Sequence, residues 1–144
     1  FCIIFAIRNY SYKRMAKTGK RPTEAELDIL QILWKHGPST VKQVNELINE
    51  KRESGYTTTL KIMQIMAEKN YCSREMDGKT HIYSALVKEH HVKKSAVKEL
   101  VDEVFEGAAM ELVIQTLGHY KATDKELKEL KHLIRELEKT QQAK

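Results

Sequence analysis

Residues 55–84, GYTTTLKIMQIMAEKNYCSREMDGKTHIYS, decide how the chain is read. Their first half has helical spacing. Thr59, Met63 and Met66 share one face with Ile62 beside them, so a helix is expected from Thr57 or Thr58 to about Asn70. The opposite face offers Thr57, Thr58, Lys61 and Gln64, with no carboxylate until Glu68. Hydroxyls, an amide and an ammonium at the first turns of a helix are the groups that meet phosphates and base edges in a major groove. A solvated polar face has the same composition, so this helix alone leaves both readings open. The second half changes the balance. Residues 71–76 read as a strand, Asp77-Gly78 as a tight turn and residues 79–84 as the return strand, carrying Arg74, Lys79 and His81.

Upstream lie two more helices. Thr23-x-x-Glu26 after Pro22 is a capping box, in which side chain and backbone satisfy each other's orphan donors. Leu27, Ile29, Leu30, Leu33 and Trp34 follow at helical spacing, and Gly37-Pro38 stops the run. Ser39 or Thr40 then caps a second helix whose buried stripe is Val41, Val44, Leu47 and Ile48, and residues 51–55 form a polar loop. Three short helices followed by a hairpin is the element order of a winged helix, with the third helix in the groove and the hairpin along the DNA backbone. The fold class expected is therefore mainly α with a small β-hairpin wing. Residues 21–87 are expected to form a winged helix-turn-helix DNA-binding domain.

Residues 88–144 read as helical throughout. Val92, Ala96, Val97, Leu100, Val101 and Val104 are spaced three and four apart, and Gly107 breaks the run. Met110, Leu112, Val113, Ile114 and Leu117 make the next segment apolar on too many sides for a lone surface helix, and Gly118 is expected to end it. Thr123-x-x-Glu126 is another capping box, followed by Leu127, Leu130, Ile134 and Leu137 among charges. Helices this short cannot enclose a core of their own. The expected remedy is the same segment of a second chain in an isologous homodimer. Val97, Leu100, Val101, Val104, Leu112, Val113, Leu130 and Ile134 are its expected contact residues.

Residues 1–20 are set apart as a disordered N-terminal extension. FCIIFAIRNYSYKR precedes Met15, and its apolar run is too short to cross a bilayer. Its basic residues follow that run, whereas a signal peptide places them before it. An upstream-translated extension is expected, the alternative being a real N-terminal arm basic enough to touch phosphate, with no membrane insertion.

Charge and composition narrow the function. Of 25 Lys and Arg against 20 Asp and Glu, the segment from residue 87 onward carries equal numbers of each, so the surplus of +5 lies in the first 86 residues. A basic bias confined to one half suits a half that meets a polyanion. Two Cys, at 2 and 72, make neither a disulfide framework nor a thiolate metal site, and they suit the reducing cytoplasm. No Gly-rich phosphate loop, His-Glu-x-x-His or Gly-x-Ser-x-Gly occurs, so no enzyme, cofactor or metal is expected. Cys72, in a strand, reads as a small packed residue rather than a nucleophile. His90 and His91 are adjacent on a helix and diverge from any common ion. The competing class is a winged helix that binds a protein rather than DNA, with Leu60 and Ile65 as its apolar anchors.

RPTEAELDILQILWKHGPSTVKQVNEL, then GYTTTLKIMQIMAEKN, then a wing ending DGKTHIYSA, resemble the BlaI/MecI penicillinase-repressor family, to which the copper-responsive repressors are related. The likeness runs from residue 21 to about 140. It is most specific in Thr-Glu-Ala-Glu-Leu with Ile-Leu-Trp, and in Gly-Tyr-Thr-Thr before the third helix. It implies a homodimeric repressor of palindromic operators, with Thr57, Thr58, Lys61 and Gln64 facing the groove and Arg74, Lys79 and His81 on the wing. It also implies a membrane sensor or protease acting upstream. The chain departs from the pattern in three places: Ile65 stands where many relatives are basic, Asn70 replaces a Gly, and the segment around Leu100 and Phe105 lacks the Asn-Phe pair linked to cleavage. No Cys follows residue 72, which argues against a copper-thiolate sensor.

Overall fold

The computed structural model describes residues 21–144, so the expectations for residues 1–20 lie outside the described residues. Along the chain run α1 (Glu24–His36), β1 (Ser39–Thr40), α2 (Val41–Asn49), α3 (Tyr56–Glu68), β2 (Cys72–Asp77), β3 (Thr80–Ala85), α4 (Glu89–Val104), α5 (Ala109–His119) and α6 (Asp124–Gln142). They belong to two compact units, the second being Lys98–Lys144, and the division falls within α4.

In the first unit, α1 opens with the expected box. Thr23 Oγ1 accepts from the Glu26 amide at 3.3 Å and Glu26 Oε2 accepts from the Thr23 amide at 2.9 Å. Glu26 is buried, and its other oxygen takes Lys69 Nζ at 2.5 Å, which ties the start of α1 to the end of α3. A carboxylate leaves water only with such partners. Gly37 closes α1 with φ 79°, a conformation open to glycine at little cost. Thr40 then caps α2, with Gln43 completing a second box.

Ser39 and Thr40 do more than cap. They pair with Tyr83 and Ile82, adding a third strand to the hairpin in an antiparallel sheet ordered β1-β3-β2. The hairpin runs from Cys72 opposite Ala85 to Asp77 opposite Thr80, so its turn is Gly78-Lys79, one residue later than expected. Asn70 links α3 to β2 at φ 61°, which Asn tolerates better than other non-glycine residues.

The core sits between these helices and the sheet: Ile29, Leu30 and Leu33 from α1, Val44 and Ile48 from α2, Met63 and Met66 from α3, and Tyr83 from the wing. Trp34 Nε1 donates to the carbonyl of Val87 at 2.9 Å, pinning α1 to the chain that leaves the wing. Cys72 is buried with its Sγ 3.9 Å from the Met63 carbonyl, and burial pushes its thiol up to about 12. A thiol that stays protonated cannot be a nucleophile. This is a mainly α winged helix with a small three-stranded sheet.

The second unit has different packing. Neither α5 nor α6 contains a buried residue. Thr123 and Glu126 form the expected box, and Tyr120 Oη adds a hydrogen bond to Glu126 at 2.8 Å. These donors hold the Glu126 carboxyl below its ordinary value, the Thr123 backbone amide first among them. Gly118 does not end α5. The helix continues to His119 and closes on Tyr120, whose amide donates to the Thr116 carbonyl at 3.2 Å. Leu100, Val104, Val113 and Ile134 are exposed, while Val101, Leu112 and Leu130 are half-buried. Among the described residues no helix is long and apolar enough to cross a membrane.

Candidate nucleic-acid interface

What holds α3 in place is a hydrogen-bonded turn. Asn45 Nδ2 donates to the Ser54 carbonyl and to Thr59 Oγ1, both at 2.9 Å. Asn49 Oδ1 accepts from the Ser54 amide at 2.8 Å, and its Nδ2 donates to the Ser54 carbonyl at 3.0 Å. Thr59 is almost wholly buried, so its hydroxyl needs the partner that Asn45 supplies. Two amides on α2 thereby set the angle at which α3 leaves the turn.

With Thr59, Met63 and Met66 inward, the remaining faces follow at about 100° per residue. Thr57, Lys61 and Gln64 lie diametrically outward, joined by Glu68 only at the far end. Thr58 is exposed but sits on the flank beside Ile65. On the other side, Tyr56, Leu60 and Gln64 form a row that turns toward the wing.

That row is one wall of a cleft of about 620 Å³. The opposite wall is Arg74, Lys79, Thr80, His81 and Tyr83 from the wing, and the third is Thr40, Val41 and Lys42 at the start of α2. Among the described residues, no Asp or Glu lines it. The strand register divides the hairpin into two faces. Arg74 lies opposite Tyr83 and Met76 opposite His81, so these share the face that carries buried Cys72. Glu75 and Asp77 alternate to the other face, which Thr80 shares as the partner of Asp77.

Of the sequence-predicted residues, Gln64, Arg74, Lys79 and His81 come together here. Thr57 and Lys61 flank the cleft on the adjoining outward row, and Thr58 stands apart. Thr40, Lys42, Tyr56 and Thr80 line the cleft and were missed as site residues, and Leu60, read only as an anchor for a protein partner, lines it too. One local signal was available for the helix starts. α1 and α6 carry acids in their first turns, whereas α2 and α3 carry none, and α3 has no side-chain cap. Acids at a helix N-terminus neutralise its partial positive charge, and their absence leaves that charge to an external anion.

Among the described residues no group of three or more His, Cys, Asp or Glu is arranged to hold a metal ion. The His90 and His91 rings stand 5.7 Å apart, tilted by 52°.

Comparison with known proteins shows which family the chain resembles. The family model for the penicillinase repressor matches residues 22–136. The methicillin resistance regulatory protein MecI of Mammaliicoccus sciuri is 22% identical over 112 residues, covering 78% of this chain and 91% of that protein. The transcriptional regulator BlaI of Mycobacterium tuberculosis is 32% identical over 62 residues, 42% of this chain and 45% of that protein. Among solved structures, monomeric BlaI of Bacillus licheniformis in complex with the blaP half-operator is similar at 17% identity and TM-score 0.44. That likeness covers 50% of this chain and 88% of that one.

Proposed function

The chain belongs to the penicillinase repressor family, and from that premise we propose that it is a homodimeric, cytoplasmic transcriptional repressor gripping palindromic operator DNA with two winged helices. The family is one of transcriptional repressors, and the chain is a regulator rather than an enzyme. The observation that carries the proposal is the acid-free cleft in which α3, the start of α2 and the inner face of the wing converge.

In this reading α3 enters the major groove with Thr57, Lys61 and Gln64 leading and Thr58 at the edge. Arg74, Lys79 and His81 on the wing, with Lys42 on α2, meet phosphates, as do the amides that begin α2 and α3. Phosphate contacts fix the position of the protein on the duplex, and base-edge contacts select the sequence. Two copies of α3 then lie about 34–36 Å apart, one helical turn or a multiple of it.

The second unit supplies the pairing of the two copies. Leu100, Val104, Val113 and Ile134 are exposed in a single chain, with Met110, Ile114, Leu117, Leu133 and Leu137 also in water. Burying each stabilises by roughly 1.5–3 kcal/mol. Since each is already about half shielded, six such residues on each of two chains contribute about half of that sum, roughly 9–18 kcal/mol, which is of the same order as an association cost of about 4–15 kcal/mol. A membrane sensor or protease acting upstream would release the operator by loosening this pairing.

The test is a salt series of binding to palindromes in the DNA upstream of the gene, against scrambled duplex, with mass measured in parallel. Tight binding of one palindrome by a dimer, weakening steeply with salt, is the expected result. Equal weak binding to both duplexes at every salt concentration overturns the proposal in favour of a protein-binding winged helix.

A further inference from the structure

Resting on the reading of α3 as the groove helix, we infer that the row Tyr56, Leu60, Gln64 reads A·T pairs, with Leu60 and Tyr56 packing on thymine methyl groups. Three observations converge. First, these side chains sit at i, i+4 and i+8 along one wall of the cleft, so a base edge entering it meets them in order. Second, Tyr56 is 52% exposed and Leu60 only partly buried, although core positions three residues on, such as Met63, are fully buried. Apolar surface at the mouth of a basic cleft needs an apolar contact, and the C5-methyl of thymine is the apolar group that the major-groove edges present. Third, α3 contains no arginine, and its single cation before the last turns is Lys61 on the adjoining row. The residue best suited to a bidentate contact with guanine is therefore missing from α3, whereas Gln64 matches the N6 and N7 edge of adenine.

The spacing fits. Four residues of helix advance about 6 Å, close to two base steps at about 3.4 Å each. Leu60 and Gln64 thus address neighbouring positions, a thymine and an adenine within about two steps in each half-site. Tyr56, a turn earlier, reaches the flanking step.

The experiment uses the full chain and a duplex enriched by it from a randomised pool. Each thymine of the enriched half-site is replaced in turn by deoxyuridine, which keeps the base pair and the O4 acceptor and removes only the methyl. At one thymine or more, wild-type Kd should rise about fourfold per methyl removed, the factor that burial of one methylene-sized group provides. In Leu60→Ala the same replacement should change Kd less than twofold at the position that Leu60 covers. If Leu60→Ala does not fold, Tyr56→Ala carries the comparison, since its half-exposed side chain is not part of the core. Deoxyuridine effects under twofold at every thymine in wild type, or effects of equal size in wild type and in both variants, overturn the inference while leaving the repressor reading intact. A pool that yields no enriched sequence overturns the repressor reading and the inference with it.

Discussion

Replacing Arg74 by Gln tests the wing quantitatively. Arg74 lies on the inner face of the wing with Met76, His81 and Tyr83, and the acids of the same hairpin, Glu75 and Asp77, lie on the other face. Its charge is therefore directed to the cleft and not spent on a neighbouring carboxylate. Each phosphate neutralised contributes about −0.9 to the slope of log K against log salt. A homodimer carries two copies of Arg74, so Arg74→Gln should flatten the slope by about 1.8. Over a fourfold rise in salt, from about 50 to 200 mM, wild type should lose roughly twelvefold more affinity than the variant. Fluorescence anisotropy on the palindrome and on scrambled duplex reads both slopes, and the flattening should be equal on the two because phosphates carry no sequence. Lys139→Gln is the control. That lysine pairs with Glu136 at 2.9 Å in the second unit, and its loss should leave the slope unchanged. A change under about 0.5 for Arg74→Gln on both duplexes would refute the placement of the wing on the backbone.

Other consequences are open to measurement. Asn45→Ala removes three side-chain hydrogen bonds and leaves buried Thr59 with only the Ser54 hydroxyl at 3.4 Å, which should cost about 1–3 kcal/mol in thermal or urea unfolding. A loss below about 0.5 kcal/mol would show that the turn is held by packing instead. Peptide-level mass spectrometry after alkylation at neutral pH should find Cys72 unmodified in the folded chain and modified in denaturant, since burial raises its thiol to about 12. Ile134→Lys should halve the mass in solution and lower operator affinity together, and an unchanged dimer mass would move the pairing surface elsewhere. Glu126 has its carboxyl lowered on folding, so its contribution is present above the ordinary carboxylate range and lost as pH falls through the lowered value. Acid titration by circular dichroism should show Glu126→Gln less sensitive than wild type in that window, and equal sensitivity would count against the Thr123 cap.

What could be read without the fold is what neighbouring residues decide among themselves. The boxes at Thr23–Glu26 and Thr123–Glu126 close over three residues, and Gly37 and Asn70 take up the positive φ that ends a helix, so all four were legible. The inward set Thr59, Met63 and Met66 followed from the helical period alone, and with it the outward Thr57, Lys61 and Gln64. The limits of that kind of reading show at Ser39 and Thr40. They looked like a cap and proved also to be a strand, because their partners Tyr83 and Ile82 lie more than forty residues away. No local pattern reports such a pairing. The same holds for Trp34 donating to Val87, for Glu26 with Lys69, and for Asn45 fixing Thr59 across the turn. The cleft itself is a tertiary object. Lys42 gave no sign in the sequence of standing near Arg74 and His81, and the separation of Glu75 and Asp77 from them depends on which strand residues face each other. Helix faces and caps are set by contacts within a turn or two, which a sequence displays in order. Convergence of α2, α3 and the wing on one acid-free cleft required the core to close and the hairpin to find its register, and that only the tertiary structure decided.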